Sequence, residues 1–137
     1  MRVYIAARYS RKYDMKLVRL ELERNGLLCT SSWLNEPHAP DTEMQSLTEE
    51  MNREYATTDL HDIDRADHVL FFSESVLTPR GGRHVEFGYA LGVGKIIHVI
   101  GPRENIFHYL EHVNIHDSVS DYIEYVKQSI ELVEEVV

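Results

Sequence analysis

The 137-residue chain predicts an α/β domain, a parallel sheet of about five strands with helices on both faces. Short apolar runs of strand length alternate with longer segments of helical periodicity along the whole sequence. The clearest strand, HVLFF at residues 68–72, lies near the middle of that alternation. The tail carries Val119, Ile123, Val126, Ile130, Val133 and Val137 in steps of four and three, an apolar helical stripe that closes the domain. The length fits one domain spanning residues 1–137, and no internal repeat, low-complexity tract or linker divides it.

In chain order, residues 3–7 read as a short buried strand. Residues 14–24, with Met15, Leu17, Val18, Leu20 and Leu22, read as a helix that Asn25 and Gly26 end. Residues 27–30 form the second strand, and the segment 35–41, with Pro37 and Pro40, is a loop. Asp41 or Thr42 is placed to cap helical material running to about residue 66. After the strand at 68–72 comes a helix around Glu86, then a strand at 95–100, a short helix at 107–111 and a weak fifth strand at 113–115. Ser118, with Asp121 behind it, is a variant capping box for the tail helix. A second partial stripe of Tyr122, Tyr125, Leu132 and Val136 serves either a subunit contact or a wide core-facing surface. The expected architecture is Rossmann-like or flavodoxin-like.

Composition narrows the function. No apolar stretch approaches the eighteen or more residues of a membrane span, and the start MRVYIAARYSRKYD lacks the pattern of a secretory signal. A lone Cys29 excludes an internal disulfide and a thiolate zinc cluster, which fits a reducing, cytoplasmic setting. A formal net charge of −9 disfavours a nucleic acid polymer or an anionic membrane as partner.

The distribution of cations says more than their sum. Arg8, Arg11 and Lys12 follow the first strand, Arg80 and Arg83 the third, and Arg103 the fourth. In a parallel sheet these loops open on one edge, beyond the carboxyl ends of the strands, where such folds bind ligands. Guanidinium matches phosphate in bidentate fashion, so an acidic protein that gathers arginines there is expected to bind an anion, a phosphate first.

The stretch TPRGGRHVEFGYALGVGK adds the chemistry. Gly81 and Gly82 allow a sharp turn and present helix amides to a ligand. Glu86 follows in what reads as the first turn of an otherwise apolar helix, where the dipole favours its ionised form. It is either a carboxylate nucleophile facing the cleft or the partner of Arg83 one turn away. TTDLHDIDRADHVLFF supplies further acids: Asp59 and Asp62 share a helix face, Asp64 points away, and Asp67 reads as structural. His84 adjoins Glu86 and either contacts substrate or caps the helix. Tyr9 and Trp33 follow the first two strands, placed to stack on a base or to pack. His108, His112 and His116 share a face only if one helix spans them, and nothing completes a metal set, so no metal or other cofactor is expected.

VYIAA at the start, DLHDIDRADHVLFF in the middle and GGRHVEFGYALGVGK together resemble the nucleoside 2-deoxyribosyltransferase family, including its branch of 2-deoxynucleoside 5-phosphate N-hydrolases. The likeness runs over residues 3–101. By that resemblance Glu86 corresponds to the nucleophile that attacks C1 of deoxyribose. Asp59 matches the acidic residue that handles the sugar and the leaving base, and Tyr4 the tyrosine that positions the nucleophile. The resemblance implies an enzyme, an N-glycosidase or deoxyribosyltransferase, acting on a small nucleoside or nucleotide. It also implies a homo-oligomer, a dimer or larger, whose sites a neighbouring subunit completes. The chain departs from the pattern at Arg80, where the family carries Asp or Ser, and at Arg8, where the phosphate-using branch has a serine. Both departures favour an anionic substrate, so Arg8, Arg80, Gly81, Gly82, Arg83 and His84 are expected to bind it. The rival readings are a nucleotide-binding sensor without turnover and a phosphoribohydrolase-like enzyme, which PRGG followed by a glutamate faintly resembles.

Overall fold

The computed structural model describes the backbone of residues 1–37, 47–76, 78 and 80–136, with side chains as far as residue 130. Five strands, β1 (Arg2–Ala6), β2 (Leu28–Cys29), β3 (His68–Phe72), β4 (Ile96–Ile100) and β5 (Val113–His116), form one sheet in the order β2-β1-β3-β4-β5. Every neighbouring pair is parallel. The helices are α1 (Lys12–Arg24), α2 (Glu49–Asp64), α3 (Gly82–Gly92) and α4 (Val119–Val136).

Register sorts the side chains by face. Tyr4 and Ala6 share one face with Val69, Phe71, Ile97 and Val99. The helix α3 packs there, with the rings of Phe71 and Phe87 5.5 Å apart. Val3 and Ile5 share the other face with His68, Leu70 and His98, under α4, whose Tyr122 reaches His68. The central strands β1 and β3 are buried on both faces, as a parallel sheet sheathed by helices demands.

Local chemistry explains the boundaries. The α1 helix ends where Gly26 takes φ 81°, a conformation that lets Leu27 N–H return to Leu22 O at 3.0 Å. The helix α2 begins at Glu49, with Thr48 Oγ1 accepting from Met51 N at 3.1 Å. Asp41 and Thr42, expected as its cap, lie outside the described residues. For α4 the expected cap is present, Asp121 N donating to Ser118 Oγ at 3.1 Å. The short helix expected at 107–111 is a single 3-10 turn, Ile106–Tyr109, because Leu110 turns extended right after it.

Strand order reverses between β1 and β3, so the chain leaves these neighbours toward opposite sides and opens a crevice at their carboxyl ends. The rim beside it is tightly closed. Ser73 N donates to Ile100 O at 3.1 Å, and Gly101 N to His116 O at 2.9 Å. Gly101 takes φ 114°, and a Cβ there would stand 2.5 Å from Ser73 Oγ.

Candidate active site

β1 contributes Tyr4, α2 contributes Asp59 and α3 contributes Glu86, three groups within electrostatic reach of one another. Tyr4 is fully buried, on the face that α3 covers. Glu86 lies in the second turn of α3, which leaves the first turn without an acid. The expectation that the helix dipole keeps this carboxylate ionised is therefore corrected, since the effect fades beyond the first turn. Burial, then the charge of Asp59, raises the Glu86 pKa well above the ordinary carboxylate value, against a smaller pull downward from the Tyr4 hydroxyl. Asp59 Oδ1 is buried with no hydrogen bond among the described residues, and the buried Tyr4 hydroxyl faces Glu86 without reaching ordinary hydrogen-bond geometry. Asp59 is pushed up to about 7, by burial first and then by Glu36 and Asp62.

Glu36, which the sequence reading did not single out, belongs to the same electrostatic group. It follows the 3-10 turn Ser32–Asn35 beyond β2, and burial raises its pKa to about 7. Lys12 Nζ holds its backbone oxygen and also donates to Tyr9 Oη at 3.0 Å. The other acids divide differently. Asp62 is buried and structural, accepting from Ser32 N at 2.9 Å and pairing with Arg65. Asp64 accepts from Tyr89 Oη at 2.6 Å on the outside, and Asp67 accepts from Arg2 N at 2.8 Å.

The basic loops open on one edge, as expected, but most of their cations are already engaged. Arg11 pairs with Glu74 at 3.5 Å, and Arg103 lies over the Tyr109 ring at 5.0 Å. Arg83 does not pair with Glu86. Its guanidinium is buried over the Phe71 ring and donates to Glu104 Oε1 at 2.9 Å and to Thr78 Oγ1 at 3.1 Å. His84 follows it to Glu104, Nε2 lying 2.9 Å from Oε2, so this imidazole does not cap the helix. The side chains of Arg8 and Arg80 make no ion pair or hydrogen bond among the described residues; Arg8 is half-buried and Arg80 exposed. Arg80 adopts φ 68°, the left-handed region uncommon for a side chain of its size. Behind it Gly81 caps α3 without a side-chain hydrogen bond, so the first-turn amides stay available at the edge.

Trp33 packs instead of facing the crevice. It is buried, donates from Nε1 to Ile5 O at 2.8 Å, and sits 5.7 Å from the Tyr9 ring. The spaced histidines separate: His108 Nδ1 accepts from Glu104 N at 3.0 Å, while His116 Nε2 meets His98 Nδ1 at 2.9 Å.

An open α/β sheet with an acid cluster at its strand-order switch defines a class of ligand-binding folds, and solved structures carry the likeness further. The chain is similar to the CMP N-glycosidase BcmB of Clostridium botulinum, at 19% identity over 93% of this chain and 99% of that one, with a TM-score of 0.57. It is also similar to a 2-deoxyribosyltransferase of Bacillus psychrosaccharolyticus, at 18% identity over 90% of each chain, with a TM-score of 0.68. At such identities the likeness establishes the shared fold. No family profile and no curated protein matches the sequence. No described helix is long and apolar enough to cross a membrane.

Proposed function

We propose that the protein is an enzyme that cleaves the N-glycosidic bond of a 2-deoxynucleoside, preferentially its 5-monophosphate, through a covalent glycosyl intermediate on Glu86. The observation that carries this reading is the convergence of Tyr4, Asp59 and Glu86 from β1, α2 and α3, with Asp59 Oδ1 unsatisfied among the described residues and the Tyr4 hydroxyl facing Glu86. Similarity of fold to a CMP N-glycosidase and a 2-deoxyribosyltransferase supports the same class of bond.

Burial holds the Glu86 pKa well above the ordinary carboxylate value and pushes Asp59 up to about 7, so a proton is at hand between them near neutral pH. In the reactive arrangement the proton sits on Asp59 while Glu86 is anionic and faces the Tyr4 hydroxyl. A Glu86 oxygen bonds to C1 of the sugar as the C1–N bond breaks through an oxocarbenium-like transition state, and Asp59 passes its proton to the departing base nitrogen. Deoxyribose lacks the electron-withdrawing 2-hydroxyl, which makes this cation easier to form. Asp59 then removes a proton from water, the hydroxide oxygen bonds to C1, and Glu86 leaves as carboxylate. A second base in place of water gives transfer. Arg8, Arg80 and the amides of Gly81 and Gly82 hold the 5-phosphate. The partner is a small nucleoside or nucleotide, and a homo-oligomer is part of the proposal.

The test is intact-protein mass spectrometry after brief mixing with deoxynucleoside monophosphates. It should find a sugar-phosphate adduct on Glu86, and free base should accumulate on chromatography. Arg8→Ala and Arg80→Ala should each raise KM for the monophosphate by about tenfold and leave the nucleoside unaffected. Unchanged rates on monophosphates would remove the phosphate assignment.

A further inference from the structure

Beside the crevice, the loop after β3 and the loop after β4 border an open pocket of about 480 Å³ whose lining includes Thr78, Arg83, His84, Arg103 and Glu104. Its polar wall is organised around one carboxylate. Glu104 Oε1 accepts from Glu74 N at 2.6 Å and from Arg83 Nη1 at 2.9 Å. Glu104 Oε2 lies 2.8 Å from Arg83 Nη1 and 2.9 Å from His84 Nε2. A buried guanidinium, an imidazole and a main-chain amide converging on two oxygens form an oxyanion cradle, the donor set that would grip a phosphoryl group. Here the protein fills it from within.

We infer that Glu104 is a specificity-determining residue: a built-in oxyanion that keeps the Arg83–His84 cradle closed to ligand phosphate and leaves Arg8 and Arg80 to hold a single one. The charge arithmetic favours this assignment. The carboxylate neutralises Arg83 within the cradle, so a phosphate arriving there meets donors already engaged and a like charge between them. The pocket is nevertheless large enough for further phosphoryl groups of a nucleoside di- or triphosphate. Glu104 thereby sets the substrate class as the monophosphate, an extension that rests on the proposed nucleotide cleavage.

The cradle itself is testable without turnover. With Glu104→Ala, inorganic phosphate should refill the site and raise the melting temperature in a saturable way, with affinity at least about tenfold tighter than for the wild type. Chloride at matched ionic strength should not reproduce it. If the variant fails to fold alone, refolding in the presence of phosphate reads the same property. The gain should vanish in the double variant Glu104→Ala, Arg83→Gln. Phosphate affinity equal to that of the wild type, no phosphate-dependent refolding, or a gain that survives loss of Arg83 would each overturn the inference. Base release supplies the second readout, with Glu104→Ala expected to accept deoxynucleoside triphosphates that the wild type rejects. If phosphate fills the cradle but neither protein releases base, the cradle assignment stands and the proposed cleavage falls.

Discussion

The two faces of the sheet bury ionisable groups in opposite ways. Under α3, carboxyls crowd together: burial raises both Glu86 and Asp59, helped at Glu86 by Asp59 and at Asp59 by Glu36 and Asp62, and polar atoms of Tyr4 and Asp59 have no hydrogen bond among the described residues. Under α4, imidazoles crowd together. His68 Nδ1 meets Tyr122 Oη at 2.9 Å, His98 Nδ1 meets His116 Nε2 at 2.9 Å, and the His68 and His98 rings lie 4.7 Å apart. Burial lowers the pKa of all these histidines, His98 to about 3, so they pack as neutral aromatic rings. Burial alone therefore does not mark a reactive group. What separates the faces is the kind of group desolvated: acids raised toward the neutral form under α3, imidazoles lowered into it under α4, where His98 Nε2 is likewise buried without a partner among the described residues.

Substitutions that neutralise one face without reshaping it test this contrast. Glu86→Gln should cut base release by at least about a thousandfold while the melting temperature at pH 7 holds, because the amide resembles the protonated acid. A loss of activity matched by unfolding would instead make Glu86 a packing residue. Asp59→Asn should lower the rate by roughly 10²–10⁴-fold and remove the decline in rate above pH 7. Its stability should move the other way. The folded-state pKa of Asp59, about 7, exceeds the ordinary aspartate value of 3.8, so its contribution to stability is full below that lower value and is lost as pH rises through 7. The asparagine variant should consequently melt higher than the wild type at pH 8, and differential scanning calorimetry across pH reads the crossover.

The smaller effects lie under α4. Lowered histidine pKa values give stability that is present above the ordinary value of 6.5 and is lost as pH falls from there toward about 3. The histidines' share of stability should therefore shrink between pH 7.5 and pH 5, against the opposite trend from Asp59 and Glu36. His98→Phe should cost about 1 kcal/mol at pH 7.5, through the lost bond to His116, and flatten that acid decline. Base release at neutral pH should stay within about twofold, since the changed ring sits across the sheet from Glu86.

Much of the fold was legible because parallel strands announce themselves by composition. HVLFF and IIHVI are apolar on both faces, and the α4 stripe repeats with helical spacing. The helix start at Thr48 was less legible, since acids and hydroxyls compete as caps along that segment. At the candidate site the resemblance pointed to Tyr4, Asp59 and Glu86, which lie on β1, α2 and α3 and interact electrostatically. The sequence did not reveal where Arg83 and His84 would point, because Glu104 is about twenty residues away and pairing across loops has no local signature. Glu36 was hidden for the same reason, a single acid beside Pro37 whose weight comes from tertiary neighbours.

Gly101 ties the rim of β3 to that of β4, with no room for a methyl group against Ser73. A side chain at that position would be strained at φ 114° and would turn Ser73 Oγ away from Ile100 O, its partner at 3.2 Å. The junction of three strand ends is consequently reserved for glycine, a backbone requirement that lies outside the reacting groups yet is inherited by the loops that start there.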